Sequence, residues 1–278
     1  MAGESIYHLA GGNFPPTLGF MGEVDATVVH NPFDNITAPP DRAVARAALT
    51  SELGIDPSHH IIGCVGRLHH EKRPWVLASV IARAARHLGK PAHAVFLGKD
   101  EGQQSVVVDA ATAEGVADRI HFLGFRYPPA QWIAGMDIVI APRANEGFGR
   151  AVVESMLVGT PVIAANRAGH TEIIDDLETG VLVEPHDIIA FSNAAIWLLS
   201  SPEDHKRIAD AAMAYARDAY SVEKHVERIQ GIYDRLPGFR KAPLLVRMWL
   251  RATGWRRRKR LDPVASPEIA VPRRDGEA

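Results

Sequence analysis

The feature that most restricts the fold of this chain is a regular alternation of short apolar runs with longer helix-forming segments. The apolar runs are four to six residues long and lie at 60–65, 92–97, 120–123, 138–141, 161–164 and 180–183. The helical segments lie between and after them, at about 73–88, 102–114, 128–134, 149–158 and 187–199. Parallel strands need a crossover between them, and that crossover is usually a helix. The pattern therefore predicts an α/β fold, with one parallel sheet covered by helices on both faces.

The segments on either side of this alternation differ in composition. Residues 1–24 are rich in Gly and Pro and are predicted to be a leader or linker. A short β-branched run at 26–30 predicts a strand that Asn31-Pro32 ends. Pro39-Pro40-Asp41 predicts the start of a helix that reaches Leu53, with Gly54 at its end. The predicted organisation is a leader at 1–24, a domain at 25–200, helices at 201–236, and a basic amphipathic segment with a disordered tail at 237–278.

Composition limits the partners and the compartment. The net charge of −2 gives no reason to expect nucleic acid as a partner. The single cysteine, Cys64, lies in an apolar run, which predicts a buried thiol in a reducing compartment. The first residues lack a basic region followed by an apolar one, and no apolar run approaches the roughly 18 residues of a transmembrane helix. These observations predict a cytoplasmic protein.

A basic loop follows the first strand of the alternation. Gly66, Arg67 and Lys72 lie between the end of that strand and the next helix. Ligands of parallel sheets bind at the carboxyl ends of the strands. A rigid Arg fork beside a compact Lys charge suits a diphosphate. The alternative is an ordinary solvated basic loop.

Two carboxylates flank a Gly-rich turn after the fourth strand of the alternation. Glu146 lies in the turn, and Glu154 lies eight positions later on the following helix. Gly147 and Gly149, on either side of Phe148, leave backbone N–H groups uncovered for a phosphate or a sugar hydroxyl. Because the carboxylates are two helical turns apart, they suit gripping two parts of one ligand better than hydrolysing a glycosidic bond between them. The alternative is a capping carboxylate together with an exposed helical Glu.

Other common catalytic motifs are missing from the sequence. It has no G-x-G-x-x-G after the first strand, no P-loop and no G-x-S-x-G elbow. His69 and His70 are adjacent, so they point in different directions and are predicted to be polar loop residues rather than metal ligands. No metal and no cofactor is expected.

Taken together, these motifs resemble the C-terminal, donor-binding half of the GT-B fold, family 4 retaining glycosyltransferases, also called glycosyltransferase group 1. The resemblance covers about residues 25–235. Its motifs are at 28–34, 66–72, 96–98, 122–125, 146–154 and 159–164. It implies a Rossmann-like domain that binds a nucleotide-diphosphate sugar (a UDP- or GDP-sugar) for glycan biosynthesis. It also implies a hexosyltransferase that retains anomeric configuration and needs no metal.

The resemblance also assigns roles to residues. Arg67 and Lys72 would hold the donor diphosphate, Glu146 the hydroxyls of the transferred sugar, and Glu154 the ribose. The amides of Phe148 and Gly149 would face the sugar or phosphate. Residues near Phe125 and Arg126 would frame the base. The catalytic set would thus be Arg67, Lys72 and Glu146, with Gly66 and Gly147 completing the donor site.

The sequence departs from the family at its start and near the fifth strand. Family members have a second, acceptor-binding Rossmann-like domain, and the 24 residues before the first donor-half motif are too few to build one. We therefore expect a donor domain that needs an acceptor domain outside this chain. The alternative is a non-catalytic nucleotide-sugar-binding module; an epimerase or a phosphorylase of the same plan would also need the second domain. Ala168-Gly169 also stands where a Gly-Gly pair is usual.

The last part of the chain carries a basic amphipathic segment. Nine Lys and Arg residues and no acid lie between Arg240 and Arg260, interleaved with Leu, Val and Trp. Such segments bind anionic membrane surfaces. We expect 240–260 to be such a peripheral membrane attachment, the alternative being a solvated basic tail.

Overall fold

A computed structural model of the chain describes residues 28–33 and 39–235. The chain divides into two compact units, residues 1–230 and 231–278. Of the second unit only 231–235, the end of a helix, is described. The predicted leader at 1–24 and the predicted basic segment and tail at 237–278 lie outside the described residues.

A six-stranded, all-parallel sheet forms the centre of the first unit. Its strands are β1 (His60–Val65), β2 (Ala92–Leu97), β3 (Ile120–Gly124), β4 (Ile138–Ala141), β5 (Val162–Ala165) and β6 (Val181–Val183). They lie in the order β3-β2-β1-β4-β5-β6. The predicted α/β, Rossmann-like sheet is confirmed.

Helices cover both faces of the sheet. The helices of the described residues are α1 (Arg42–Leu53), α2 (Val76–Leu88), α3 (Gln104–Ala113), α4 (Ala130–Ala134), α5 (Arg150–Leu157), α6 (His170–Ile173), α7 (Ile188–Ser200), α8 (Pro202–Ala219) and α9 (Val222–Arg235). Short 3₁₀ turns lie at His70–Lys72 and Ala117–Arg119. The start predicted for the second helix, at 73, is three residues early. Arg73 adopts a left-handed φ of 50° and Pro74 follows it, so a regular α-helix forms only beyond this point.

The two faces of the sheet bury separate apolar cores. Alternate residues of β1 point to opposite sides, as in any strand: Ile62 and Cys64 join the core beneath α2 and α7, and Ile61 joins the core beneath α1 and α5. Cys64 is buried, as predicted, and its burial raises the pKa of the thiol to about 11.

The prediction of a strand at 26–30 is wrong for residues 28–30, the part of it that the structure describes. Val28, Val29 and His30 belong to no strand. The first unit anchors this segment by other contacts: Nδ1 of His225 lies 2.8 Å from the His30 carbonyl oxygen, and the Phe33 N–H donates to the Tyr220 carbonyl at 2.9 Å. A β-branched run is favoured in a strand only where a neighbouring strand accepts it.

The amino edge of the sheet, where the strands begin, is tied together by Asp137. One carboxylate oxygen accepts the Ile61 N–H at 2.7 Å and pairs with Arg46 at 3.1 Å. The other pairs with Arg42 at 3.3 Å. Arg46 also donates to backbone carbonyls of the 57–59 and 135 turns. This network joins α1 to β1 and β4.

A row of three histidines crosses the same edge. Nδ1 of His59 lies 3.0 Å from Nε2 of His93, and Nδ1 of His93 lies 3.0 Å from Nε2 of His121. Burial, followed by the neighbouring His121 and His59, lowers the pKa of His93 to about 4. His93 is therefore neutral at pH 7.

The direction of the chain connections reverses between β1 and β4. From β1 the chain runs outward to β2 and β3, and from β4 it runs to β5 and β6 on the other side. Such a switch point leaves a crevice at the carboxyl ends of the two central strands. Among the described helices, none is long and apolar enough to cross a membrane.

Candidate functional site

An ion pair lies at the carboxyl edge of the sheet, beside the switch point. Lys72, from the loop after β1, donates to Glu146, from the loop after β4. Both side chains are largely shielded from water, with 24% and 13% of their surface exposed. Burial alone would raise the pKa of Glu146, but Lys72, Arg143 and His170 outweigh it and lower that pKa. Glu146 is therefore an anion held in place by a cation.

The basic loop after β1 is fixed by the neighbouring loop after β2. The Leu68 N–H donates to the Lys99 carbonyl at 2.8 Å, and the Glu101 N–H donates to the Leu68 carbonyl at 3.1 Å. The loops touch so closely that a Cβ at Gly98 would lie 1.9 Å from the carbonyl oxygen of Gly66. This contact fixes the direction in which the basic loop leaves the sheet.

Arg67 leaves this loop toward solvent and meets an acid. Its guanidinium donates to Glu101 at 2.7 Å, and 70% of its side chain is exposed. Lys72 lies on the inner side of the same loop, because its Nζ would be 3.8 Å from a Cβ at Gly66. The two predicted cations therefore flank Gly66, each facing a carboxylate.

The Gly-rich turn before α5 is held from behind by a second turn. A Cβ at Gly169 would lie 2.3 Å from the Gly147 carbonyl, and the Gly169 N–H donates to the Glu146 carbonyl at 2.9 Å. Gly149 has the left-handed φ of 84° that begins α5. Ala168, where the family usually has Gly, takes a left-handed φ of 53° itself. The departure at 168 therefore leaves the turn intact.

Phe148 anchors the turn into the core and does not point outward. Its side chain is 4% exposed, and its ring stacks on His30 at a centroid distance of 4.9 Å. Phe33 and Tyr220 complete the aromatic cluster. The role predicted for position 148 therefore belongs to its backbone amide alone.

Glu154 lies on α5 behind the turn, and its side chain is 13% exposed. Burial raises its pKa, and Arg150 at 3.5 Å partly opposes that rise. The alternative interpretation of this residue as an exposed helical Glu is wrong, since α5 packs with this face turned toward a pocket.

That pocket has a volume of about 980 Å³ and lies over the carboxyl ends of β1, β2 and β3. It brings together five residues predicted for the site: Gly66, Arg67, Phe125, Arg126 and Glu154. Phe125 is 75% exposed at the pocket. Arg126 is paired with Glu52 at 2.8 Å and lies over the Trp132 ring at 5.1 Å. Its charge is therefore paired with an acid that does not line the pocket.

Other residues that were not predicted for the site also line this pocket: Lys99, Asp100, Tyr127 and Arg150. Lys99 and Asp100 directly follow Gly98, the residue after β2. They could have been predicted, because residues just after a strand of a parallel sheet lie at the ligand-binding edge. Arg150 was not predictable, since its place depends on how α5 packs.

One histidine of the basic loop stabilises the backbone. Nδ1 of His69 accepts the Glu71 N–H at 3.3 Å and caps the 3₁₀ turn. Residues 28–33 and 39–235 contain no group of three or more His, Cys, Asp or Glu side chains arranged to hold a metal ion.

Comparison with known proteins assigns the family. The model of the family "Glycosyl transferases group 1" matches residues 46–214, more than half of the chain. The chain belongs to the group 1 glycosyltransferase family.

The relatives in this family carry different names. The chain is 26% identical over 230 residues to the lipopolysaccharide core biosynthesis mannosyltransferase LpsB of Rhizobium meliloti, covering 79% of this chain and 63% of the relative. It is 34% identical over 195 residues to a D-inositol 3-phosphate glycosyltransferase of Xylanimonas cellulosilytica, covering 66% of this chain and 45% of the relative.

A solved structure shows the same fold as this glycosyltransferase chain. It is Anabaena Alr3699/HepE in complex with UDP and glucose, with a TM-score of 0.68, 27% identity, and coverage of 76% of this chain and 57% of that one. The group 1 glycosyltransferase chain described here spans about half to two thirds of these three relatives' length. The matched structures are GT-B glycosyltransferases, and the Rossmann-like sheet corresponds to one half of that fold.

Proposed function

We propose that the described domain is the donor-binding half of a retaining hexosyltransferase of family 4. It would transfer a sugar from a nucleotide-diphosphate sugar, without a metal, once an acceptor domain faces it. The observation that carries this proposal is the arrangement at the switch point: Lys72 and Glu146 pair at the mouth of the crevice, and Arg67 and Glu154 line the adjoining pocket.

The two cations suit the diphosphate. Transfer leaves a nucleoside diphosphate, so negative charge develops on the phosphate oxygens as the glycosidic bond breaks. Arg67 and Lys72 flank Gly66, where a diphosphate would be within reach of both. Cations fixed in advance stabilise that charge where it develops, which is the role a metal has in other transferases.

The two carboxylates suit hydroxyl groups. Glu146 is an anion and accepts hydrogen bonds, which fits the hydroxyls of the transferred sugar. Glu154, at the pocket beside Arg67, fits the ribose. Phe125, exposed at that pocket, offers an aromatic face for the base. The amides of Phe148 and Gly149 would meet the sugar or phosphate at the start of α5.

The comparisons support a nucleotide sugar as ligand, because the HepE structure contains UDP and glucose. The relatives named as a mannosyltransferase and as a D-inositol 3-phosphate glycosyltransferase support transfer of a hexose. We propose that the acceptor groups come from a second Rossmann-like domain, supplied by a partner protein or by further sequence of the same polypeptide.

Calorimetry with UDP and with GDP tests the donor site. We expect one of them to bind, and Glu154→Gln to weaken that binding about tenfold or more, because it removes a charge-assisted acceptor. Glu227→Gln, an exposed helical acid on α9, is the matched control and should bind normally. If neither nucleotide binds, or if both variants behave alike, the site is wrongly placed.

A turnover assay distinguishes a glycosyltransferase from the alternative, a non-catalytic nucleotide-sugar-binding module. The chain is mixed with candidate acceptor domains and a nucleotide sugar, and NMR follows the anomeric signal of the product. Retention of configuration supports the proposal. Tight nucleotide binding with neither transfer nor donor hydrolysis supports the binding module instead.

We also propose that 240–260 attaches the protein to an anionic membrane surface at the cytoplasmic face. The support is the sequence alone, with nine basic residues and no acid. Co-sedimentation with phosphatidylserine vesicles should fall when 240–260 is deleted and should be unchanged with phosphatidylcholine. Equal sedimentation of both proteins with anionic vesicles contradicts the attachment.

A further inference from the structure

A second, smaller pocket lies beside the proposed donor site. Its volume is about 370 Å³. Three segments enclose it: the 3₁₀ turn after β1, the loop after β4 and the loop after β6. Its lining includes Glu71 and Asn145, which directly precede Lys72 and Glu146. It therefore adjoins the Lys72–Glu146 pair and shares no lining residue with the larger pocket that holds Arg67 and Glu154.

Two arginines and two histidines contribute to the lining of this pocket. Arg73, Arg143, His70 and His186 contribute to it, and Glu71 is its one acid. Two arginines in a space of this size present planar forks of donors, which match phosphate and carboxylate oxygens. Trp75 closes one side, with its ring 5.2 Å from that of His70. The pocket is thus suited to a compact anion.

Both arginines keep unused hydrogen-bonding capacity. Nη1 of Arg73 and Nε of Arg143 are buried and have no hydrogen-bond partner. A buried donor without a partner is costly, and when it occurs in a pocket an ion or a ligand commonly completes it. Each arginine thus has one donor that the protein itself leaves without a partner.

The backbone at this pocket is also held in an uncommon conformation. Arg73 has a φ of 50° and His186 has a φ of 75°, both in the left-handed region that favours glycine. Arg73 is kept there by its own N–H, which donates to the His70 carbonyl at 2.9 Å. Such conformations in non-glycine residues cluster at ligand sites, where they fix the direction of a side chain.

Glu71 occupies part of the lining and is displaceable. It pairs with Arg143, but 57% of its side chain is exposed, against 26% for Arg143. An exposed carboxylate loses little when it turns to water. An incoming oxyanion of higher charge can therefore take its place on the guanidinium.

We propose that this pocket is an oxyanion subsite, which binds a phosphate or carboxylate carried by the transferred sugar or by the acceptor. The proposal rests on the donor-site assignment, because the Lys72–Glu146 pair places the transferred sugar next to the pocket. It adds a requirement for one of the two substrates: a negative charge near the bond that forms.

The first arm of the test uses inorganic phosphate. The donor site of the full chain is saturated with the nucleoside diphosphate that it binds, so that Arg67 and Lys72 are occupied. Phosphate is then titrated while NMR follows the indole N–H of Trp75. We expect a saturable shift, weakened about tenfold in Arg73→Gly. Glycine suits the left-handed backbone at 73, so this variant removes the guanidinium without adding strain.

Two further variants guard against an indirect effect. Arg143→Lys keeps the charge but loses the planar fork, and should bind phosphate more weakly than the unchanged chain. Arg217→Gln, an exposed site on α8, should bind as the unchanged chain does. Thermal unfolding of each variant shows whether it is folded.

The second arm asks which substrate carries the anion. A nucleoside diphosphate hexuronate is compared with the corresponding hexose by calorimetry. Tighter binding of the hexuronate that disappears in Arg73→Gly assigns the charge to the sugar. Phosphate binding without that preference assigns it to the acceptor. If the chain binds nucleotide but shows neither the Trp75 shift nor a preference for the hexuronate, the proposed subsite is wrong and the donor-site assignment is unaffected. If phosphate shifts the Trp75 signal but no nucleotide binds, the donor-site assignment is wrong instead.

Discussion

The two edges of the sheet use the same residue types in opposite ways. At the amino edge, the carboxylate of Asp137 accepts a backbone N–H and two guanidinium groups, and Arg46 donates to several backbone carbonyls. At the carboxyl edge, the cations Arg67 and Lys72 each face a carboxylate across a loop. The arrangement at the amino edge holds the backbone of the fold together. At the carboxyl edge, a ligand can replace the carboxylates that pair with Arg67 and Lys72.

The difference lies in what the charged groups contact. A charge bonded to the backbone cannot leave without opening a strand or a turn, so it contributes mainly to stability. A charge bonded to another mobile side chain can change partner at little cost. The Arg46–Asp137 pair and the Arg67–Glu101 pair should therefore respond differently to substitution. Four variants test this difference between the two edges.

Asp137→Ala should have the largest effect. It leaves Arg46, Arg42 and the Ile61 N–H without their shared acceptor, and should lower the free energy of unfolding by about 3 kcal/mol in urea denaturation. Asp109→Ala, at an exposed position on α3, is the control. The folded fraction should bind nucleotide normally, and a loss of affinity with unchanged stability would reverse the assignment of the two edges.

Lys72→Met should mainly affect binding. Nucleoside diphosphate affinity should fall by about 10- to 100-fold, since a charge-assisted contact to phosphate is lost. Glu146 loses its cation at the same time, so its pKa should rise from its lowered value. Calorimetry at pH 7 measures the first effect. Carboxyl NMR signals of Glu146 measure the second, and an unchanged titration there contradicts the Lys72–Glu146 pairing.

His93 makes stability at the amino edge depend on pH. Its pKa is about 4 in the folded chain and near 6.5 when exposed, so the unfolded chain takes up a proton first. The stability due to neutral His93 is present above pH 6.5 and is lost as the pH falls from 6.5 toward 4. The groups around it are His59, His121, Arg119 and Asp118.

His93→Gln should reduce the difference in the free energy of unfolding between pH 7.5 and pH 5.5 by about 1 kcal/mol. This value allows for partial screening of His93 by solvent. Urea midpoints at pH 7.5 and 5.5 measure the change, with His87→Gln, at an exposed position of α2, as the control. Parallel midpoints in all three proteins would show that the histidine row is not the source.

Glu101→Gln should have the smallest effect, and of opposite sign. It frees Arg67 from an exposed ion pair of the kind that contributes below 1 kcal/mol. Nucleoside diphosphate affinity should therefore rise by about 2- to 5-fold. Glu203→Gln, at an exposed position on α8, is the control. A loss of affinity would mean that Glu101 positions Arg67 for the ligand and does not compete with it.

Most of the fold was predictable because most of the strands are buried on both faces. Strands buried in this way need continuous apolar runs, and those runs fixed the six strand positions to within a residue or so. The helices between them followed from the spacing. The prediction of a strand at 26–30 failed because a β-branched run indicates a preference for strand structure but does not indicate whether a partner strand is present.

Less of the candidate site was predictable. The positions of Gly66, Arg67, Lys72 and Glu146 follow from loops that leave neighbouring strands at one edge. Their partners do not, because Glu101 reaches Arg67 only after the loops after β1 and β2 have paired. The burial of Glu154 likewise depends on the rotation of α5, which sequence spacing alone does not give.

The strand order also affects the timing of synthesis. β1 lies at the centre of the sheet, yet one of its neighbours, β4, lies more than 70 residues later in the sequence. A ribosome adds about 5–20 residues per second, so β1 waits several seconds with the backbone hydrogen-bonding groups of one edge unpaired. During that interval the nascent chain presents a strand edge that another chain can pair with, and chaperone demand should be greatest there.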